Sequence, residues 1–113
     1  MNAFLSGKIS GLPREEAEAK FNGAEEEIKQ AYRNRTVTVF NPVKEVPVQA
    51  SYEQAMLVCL RNLTAHHHYS RMKPRIDVLV FIDDEEFEGR ELEIEVARAC
   101  AIPMATLEEM VGR

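Results

Sequence analysis

The sequence predicts an α/β fold, because short apolar runs typical of buried strands alternate with longer amphipathic stretches typical of helices. The clearest strands are residues 36–40, which are rich in β-branched side chains, and residues 76–82, which are apolar enough for burial on both faces. The clearest helix is residues 14–33, where apolar side chains recur at intervals of three and four. This alternation indicates a parallel sheet with helices on both faces.

The first half of the chain contains two of the predicted strands and the long helix. Residues 3–6 form a short apolar run that ends in the turn-rich segment GKISGLP. Pro13 suits the first turn of the following helix, where its missing N–H is not needed. The strand at residues 36–40 is ended by an Asn-Pro pair, and residues 43–50 are expected to form an irregular connector.

Two capping signals mark helices in the second half. Ser51 and Gln54 have the spacing of a capping box, which predicts a helix over residues 52–66. Thr106 and Glu109 have the same spacing and predict a closing helical turn.

Another helix and a last strand follow the strand at residues 76–82. The helix is expected to begin near Gly89, and residues 102–105 form the last short strand. The side chains predicted to face inward from this helix are Leu92, Val96 and Ala99.

The order of these elements predicts a particular topology. Four strands, each followed by a helix, fit a three-layer sheet of the flavodoxin or Rossmann type with four strands, or five at most. With right-handed crossovers, the simplest strand order is 2-1-3-4. Ligands bind such sheets beyond the carboxyl ends of the strands, where the strand order reverses. The loops that would meet there are GKISG and DDEEFEG.

The composition indicates one globular domain that spans residues 1–113. The chain is 45% hydrophobic and 29% charged, with a net charge of −5, which argues against a general nucleic-acid surface. Its nearest approach to a basic patch is RMKPR at residues 71–75. No apolar run approaches the roughly 20 residues that cross a bilayer, and the first apolar stretch is too short for a secretory signal. We therefore expect a cytoplasmic protein with buried thiols at Cys59 and Cys100 that binds neither nucleic acid nor membrane.

An acidic stretch follows the strand at residues 76–82, with eight acids among the thirteen residues 83–95. If a helix begins near Gly89, Glu93 lies in its first or second turn. Free backbone N–H groups and the positive end of the helix dipole would then lower the pKa of Glu93 and keep it ionised. An ionised carboxylate at a cleft can attack an anomeric carbon and form a covalent glycosyl-enzyme.

The other acids of this stretch have different expected roles. Asp83 and Asp84, at the strand end, could act as acid or base for a departing group. Glu91 and Glu95 point about 200° away from Glu93 on a helical wheel, so we expect them to be solvated. Acids at a helix start are also common capping and solubility devices, and a purely structural role is the alternative.

Two clusters raise the question of a metal site. The three histidines at residues 66–68 would point in three directions on the predicted helix and could not chelate together. The acids at residues 83–88 lack the pattern of a calcium-binding loop. We expect no metal site at either place.

Three segments of the chain resemble, in order, the nucleoside 2-deoxyribosyltransferase-like superfamily, in particular its small bacterial and phage members of unassigned function. FLSGKISG is similar to the first strand and glycine turn of that superfamily, and FNPV is similar to the end of its second strand. IDVLVFIDDEEFEGRELEIEVARACAIPM is similar to its third strand, acidic loop and following helix. The resemblance covers about residues 3–43 and 76–105.

The resemblance implies a cofactor-free reaction that moves 2-deoxyribose from one base to another base or to water. Glu93 matches the nucleophile of the family, and Asp83 or Asp84 would assist at the base. The residues expected to bind the nucleoside or nucleotide are Phe4, Ser6, Gly7, Lys8, Asn41 and Gly89. A homodimer or higher homo-oligomer is also expected.

The sequence departs from the family pattern where the helpers of the nucleophile should lie. Phe4 stands where active members have a tyrosine hydroxyl. Cys59 or Asn62 stands where an acid is expected, and Phe87 replaces an acid before the loop glycine. A nucleophile without its helpers leaves open a non-catalytic nucleotide-binding or protein-interaction module of the same fold.

Overall fold

The computed structural model describes residues 1–112 and confirms the predicted α/β fold. The strands are β1 (Asn2–Ser6), β2 (Thr38–Phe40), β3 (His66–His67), β4 (Ser70–Pro74), β5 (Val78–Phe81) and β6 (Met104–Thr106). The helices are α1 (Arg14–Ala31), α2 (Pro42–Glu45), α3 (Tyr52–Leu63), α4 (Arg90–Ala99) and α5 (Leu107–Val111). None of the helices in this part of the chain is both long and apolar enough to cross a membrane.

The main sheet has four parallel strands in the order β2-β1-β5-β6, which is the predicted order 2-1-3-4. Phe4 of β1 pairs with Phe40 of β2 on one side and with Leu79 of β5 on the other. Leu79 in turn pairs with Met104 of β6. The strands β1 and β5 are therefore central, and the order of the connections reverses between them.

Alternate side chains of the central strands pack into two separate cores, one on each face of the sheet. Leu5 and Val80 point toward α1 and α5, where they contact buried residues that include Phe21. Phe4 and Leu79 point to the opposite face, toward α3 and α4. Because successive residues of a strand point to opposite faces, consecutive apolar residues of β1 and β5 can serve both cores.

Two capping predictions are confirmed, and the connector after β2 is more ordered than expected. Ser51 and Gln54 form a complete capping box at the start of α3, as do Thr106 and Glu109 at the start of α5. The connector was expected to be irregular but begins with the short helix α2. Its first turn is stabilised by the Asn41 side chain, which accepts a hydrogen bond from a backbone N–H two residues on.

The segment after α3 differs from the prediction. The helix ends at Leu63 rather than at residue 66, and Thr64 is its C-terminal cap, with its hydroxyl donating to the carbonyl of Leu60. An antiparallel hairpin, β3–β4, follows and was not predicted. The three histidines therefore lie on this hairpin and its turn. The argument against chelation assumed that they lie on a helix, and that assumption was wrong.

The inward face of α4 is also shifted from the prediction. Glu93 and Ala97, one turn apart, are the buried residues of this helix. Leu92 and Ala99 are exposed, and Val96 is half-buried. Each step along a helix turns by about 100°, so moving the inward face by one residue replaces Leu92 with Glu93.

We expect Gly7→Ala to destabilise the fold by about 1 to 3 kcal/mol, because overpacking a tight contact forces neighbouring atoms to move. A Cβ at Gly7 would lie 2.6 Å from the Cγ1 atom of Ile82 and 3.0 Å from the Oδ2 atom of Asp83. Gly23→Ala is the matched control, since nothing lies within 4 Å of a Cβ there and the residue is inside α1. Alanine should stabilise that position by roughly 0.5 to 1 kcal/mol. Denaturant unfolding measures both, and equal midpoints for Gly7→Ala and the wild type would contradict the packing argument.

Candidate functional site

A cavity of roughly 250 Å³ lies beyond the carboxyl end of β1. Its floor is formed by the last residues of β1 and by Gly7. One wall comes from the connector after α2 and the first half of α3, and a further part of the lining comes from the loop before α4. This is the edge at which parallel α/β sheets commonly bind ligands.

Glu93 is buried in the wall of this cavity. Glu93 is only 5% exposed, and its Oε1 atom accepts a hydrogen bond of 2.7 Å from the Ser6 hydroxyl. Ser6 is the last residue of β1, and Glu93 lies one turn into α4, where its N–H donates to the carbonyl of Gly89. The strand end and the helix start are thus joined through a carboxylate at the cavity surface.

The pKa of Glu93 is raised to about 7, which contradicts the expected lowering. Burial is the largest influence and raises the pKa, because it disfavours the charged form. The hydrogen bond from Ser6 and the positive charge of Arg90 lower it but do not compensate. The effect of the helix start is therefore weaker than desolvation at this position, and near pH 7 both protonation states are populated.

Asp83 is held by contacts outside the cavity. Its side chain forms an ion pair with Lys20 and accepts hydrogen bonds from the backbone N–H groups of Lys8 and Glu85, both at 3.0 Å. Burial alone would raise the pKa of Asp83, but these partners outweigh it and lower that pKa. Asp84 is exposed, and neither aspartate belongs to the described lining of the cavity.

The residues predicted to bind substrate fall into two groups. Ser6, Gly7 and Gly89 line the cavity. Phe4 points to the same face of the sheet as Ser6 but does not line the cavity, because it is buried in the α3–α4 core with its ring stacked on Phe40 at a centroid distance of 4.7 Å. The other two predicted residues, Lys8 and Asn41, also lie outside the described lining.

Asn41 has a structural position rather than a place at the cavity rim. It is 1% exposed, and its Nδ2 atom donates to the Oδ1 atom of Asn22 and the Oε1 atom of Glu25, both at 2.9 Å. The Oδ1 atom of the Asn41 side chain caps α2 by accepting a hydrogen bond from the N–H of Val43. The residue thereby fixes the start of the connector that forms one wall of the cavity.

The family model described as a domain of unknown function, DUF4406, matches residues 1–106. The chain belongs to the DUF4406 family. No curated protein and no solved structure shows a significant match.

In this DUF4406 domain, several cavity residues were not predicted. The lining includes the apolar or aromatic side chains of Val48, Tyr52, Met56 and Phe87. Arg14 is the only cation among the described lining residues. These side chains lie in a proline-containing connector and at helix starts, where no sequence motif marks them, so only the three-dimensional arrangement reveals them.

Cys59 also lines the cavity, and both cysteines are free thiols. Burial, followed by the nearby negative charge of Glu93, raises the pKa of Cys59 to about 12. A thiol with so high a pKa is not a nucleophile near neutral pH. The prediction of a buried thiol is confirmed for Cys59, whereas Cys100 is half-buried.

The histidine hairpin lies away from this cavity. His67 stacks on Tyr69 with a centroid distance of 4.8 Å, and His66 and His68 are exposed. Within residues 1–112, no group of three His, Cys, Asp or Glu side chains is arranged to hold a metal ion.

The raised pKa of Glu93 predicts a pH-dependent stability difference between the wild type and Glu93→Gln. A carboxyl whose folded pKa exceeds its unfolded value stabilises the fold below the unfolded pKa, and that contribution is lost as pH rises through the folded pKa. For a shift from 4.5 to about 7, wild-type stability relative to the amide variant should fall by about 3 kcal/mol between pH 4 and pH 8.

Denaturant unfolding at several pH values measures this difference. Glu95→Gln removes an exposed carboxylate from the same helix and should show no comparable trend. A Glu93→Gln difference that stays constant from pH 4 to pH 8 would show that the carboxyl is not desolvated in the folded protein.

Proposed function

We propose that this DUF4406 protein cleaves the N-glycosidic bond of a nucleoside or nucleotide, with Glu93 as the nucleophile. The observation that carries the proposal is the buried Glu93 carboxylate in the cavity wall, oriented by Ser6. The reaction class comes from the resemblance to nucleoside 2-deoxyribosyltransferases, in which the matching glutamate takes the sugar. The cavity lies where that resemblance and the strand order both lead one to expect a ligand.

The chemistry requires one oxygen of Glu93 to be free for attack. Oε1 accepts the Ser6 hydroxyl, and Oε2 has no hydrogen-bond partner among the described residues. Oε2 attacks C1′ of the sugar, the bond from C1′ to the base nitrogen breaks, and the base leaves with the electron pair and takes up a proton. A second base or a water molecule then attacks C1′ and releases the Glu93 carboxylate.

The cavity walls suit a nucleoside in shape and chemistry. Tyr52 and Phe87 provide rings on which a base can stack, and Met56 adds an apolar surface between polar groups. The backbone of Gly7 lines the cavity next to Ser6. If the substrate carries a phosphate, Arg14 is the lining side chain with the charge to hold it, and its Nη2 atom is already anchored on the carbonyl of Val43 at 2.6 Å.

Glu93→Gln should reduce the release of free base by roughly three orders of magnitude or more, as expected when a covalent nucleophile is removed. The assay incubates the protein with a panel of deoxynucleosides and their 5′-monophosphates and separates free base by chromatography. Glu95→Gln, on the exposed side of the same helix, is the matched control and should keep wild-type activity. Equal rates of base release for Glu93→Gln and the wild type would rule out the assigned nucleophile.

The pH profile separates a nucleophile from a general acid at Glu93. A nucleophile must be ionised, so kcat/KM should rise about tenfold per pH unit below the pKa of about 7 and level off above it. The profile is measured with the substrate that gives the fastest release of base. A decline in kcat/KM above pH 7 would instead assign the protonated form of Glu93 as the active one.

A second candidate function is ligand binding without turnover. It is favoured by the position of Asp83 and Asp84, because neither aspartate lines the cavity to protonate a departing base. The same nucleoside and nucleotide panel distinguishes the two functions. Ligand-induced increases in melting temperature, without release of base after long incubation, would favour the binding module.

A further inference from the structure

The charges of this chain are unevenly distributed along the sequence. Residues 54–76 contain four of the 14 Lys and Arg residues and none of the 19 Asp and Glu residues. The other residues therefore carry a net charge of −9, whereas the chain as a whole carries −5. The net charge, which argues against a general nucleic-acid surface, thus averages over a local basic segment that runs from α3 through the β3–β4 hairpin.

Three of these four cations lie on the hairpin and at its exit. We call residues 66–75 the basic hairpin. Arg71, Lys73 and Arg75 are exposed, and within residues 1–112 none of them forms an ion pair with a carboxylate. Positive charge that the fold itself does not compensate is available to an anionic partner.

The register of the basic hairpin exposes part of this charge. Two consecutive residues of β3 pair with Pro74 and Ser70 of β4, so residues 71–73 have no partner in the two-stranded ladder. A bulge of this kind redirects the side chains that it contains. Met72, at its centre, is 92% exposed. The bulge therefore holds two cations in solvent, one on either side of an apolar side chain.

Aromatic rings lie beside these cations. Tyr69 is 63% exposed, and its ring stacks on His67 at a centroid distance of 4.8 Å. The His68 ring meets the Tyr69 ring edge-on at 5.5 Å, and the Nζ atom of Lys73 lies 5.7 Å from the centre of the Tyr69 ring. Exposed rings next to cations are the combination that binds single-stranded nucleic acids, because the rings stack on bases and the cations attract phosphates.

A pocket of roughly 420 Å³ adjoins the rings. It is lined by His66, His67, His68 and Arg75. Its size falls in the range of about 300 to 1,000 Å³ that is common for ligand pockets. None of the four lining residues is acidic, and imidazole and guanidinium groups can donate hydrogen bonds. The pocket can therefore accept a phosphate or a base of a bound strand.

We propose that the basic hairpin binds a single-stranded nucleic acid. Phosphates of the strand contact Arg71, Lys73 and Arg75, and a base stacks on the Tyr69 ring. Because every base has an aromatic face, this mode of binding tolerates different sequences. The site goes beyond the proposed function, which concerns a single nucleoside or nucleotide in the cavity.

The charge of the rest of the molecule favours a flexible strand over other anionic partners. A duplex or an anionic membrane presents an extended negative surface, which would also repel the remaining residues with their net charge of −9. A single strand can follow the basic hairpin alone. An acidic polypeptide would pair with the cations but would offer no base to stack on the exposed ring.

The basic hairpin and the cavity lie at opposite edges of the main sheet. The N–H of Asp77 donates to the carbonyl of Asn2 at the start of β1, and the Asn2 side chain donates to the carbonyl of Arg75. The exit of the hairpin is thus at the amino-terminal edge of the sheet, whereas the cavity lies beyond the carboxyl end of β1. Binding at the basic hairpin therefore does not involve the cavity.

The test is the dissociation constant for a fluorescent oligothymidylate of about 12 nucleotides, measured by anisotropy at several salt concentrations. An oligouridylate of the same length is the RNA arm. Three phosphate contacts to a single strand predict that the logarithm of the association constant falls with log salt at a slope of about −2. Arg71→Ala with Lys73→Ala should weaken binding at least roughly 10-fold at low salt and reduce the slope to about −0.7.

Matched variants separate the hairpin from net charge, stacking from attraction, and the hairpin from the cavity. Arg33→Ala with Arg35→Ala removes the same charge from exposed positions elsewhere and should leave binding within about two-fold of the wild type. Tyr69→Ala should weaken binding at least about five-fold at an unchanged slope, and Tyr69→Phe should restore it. Glu93→Gln should bind like the wild type. Circular dichroism checks that every variant is folded.

Three outcomes of the oligonucleotide assay would overturn the proposal. The first is a wild-type protein that does not bind at low salt, and the second is an equal loss of binding in both double-alanine variants. The third is a loss of binding in Glu93→Gln, which would place the oligonucleotide in the cavity.

Two competing partners are tested in the same way. Tighter binding of polyglutamate or of phosphatidylserine vesicles than of the oligonucleotide, unchanged in Tyr69→Ala, would assign the basic hairpin to an acidic protein or a lipid surface instead. A failure to release free base from nucleosides would contradict the proposed function but not this binding site.

Discussion

The hydrogen bond from the Ser6 hydroxyl to the Glu93 carboxylate is the contact on which the candidate site depends. It joins residues that lie 87 positions apart in the chain, at the point where β1 ends and α4 begins. An isolated buried carboxylate without any donor would be strongly disfavoured. With one neutral donor the carboxylate is tolerated, but its pKa rises, and the adjoining cavity keeps it accessible to a ligand.

Asp83, which follows the end of β5, supports that geometry through structural contacts. Asp83 binds Lys20 of α1, the N–H of Lys8 in the turn after β1, and the N–H of Glu85 in its own loop. Arg90 lies 3.6 Å away and donates to the carbonyl of Asp83. These contacts tie together the floor and one wall of the cavity. Two acids of the stretch at residues 83–95 therefore have different roles. Asp83 organises the loop, whereas Glu93 faces the cavity.

The fold was predictable from the sequence because residues 36–40 and 76–82 carry strong strand signals and right-handed crossovers permit few strand orders. The approximate helix start at Gly89 also placed Glu93 near the cavity. The hairpin was missed because residues 66–74 do not pack on a core, so they lack the apolar alternation that marks a strand. The pKa of Glu93 could not be predicted, since it depends on burial by residues distant in sequence.

Two buried glutamates have pKa values that are shifted in opposite directions. Glu25 is 6% exposed and Glu93 is 5% exposed, so burial raises the pKa of both side chains. Glu25 has cationic partners, with Lys29 at 2.7 Å and Lys44 at 3.0 Å, and a further hydrogen bond from Asn41. Together these partners lower its pKa to about 2. Glu93 has one neutral hydroxyl donor, and its pKa is raised to about 7. The cationic partners of Glu25 thus keep that structural carboxylate ionised, whereas strong desolvation and a single neutral donor leave Glu93 with a protonation state that can respond to a ligand in the cavity.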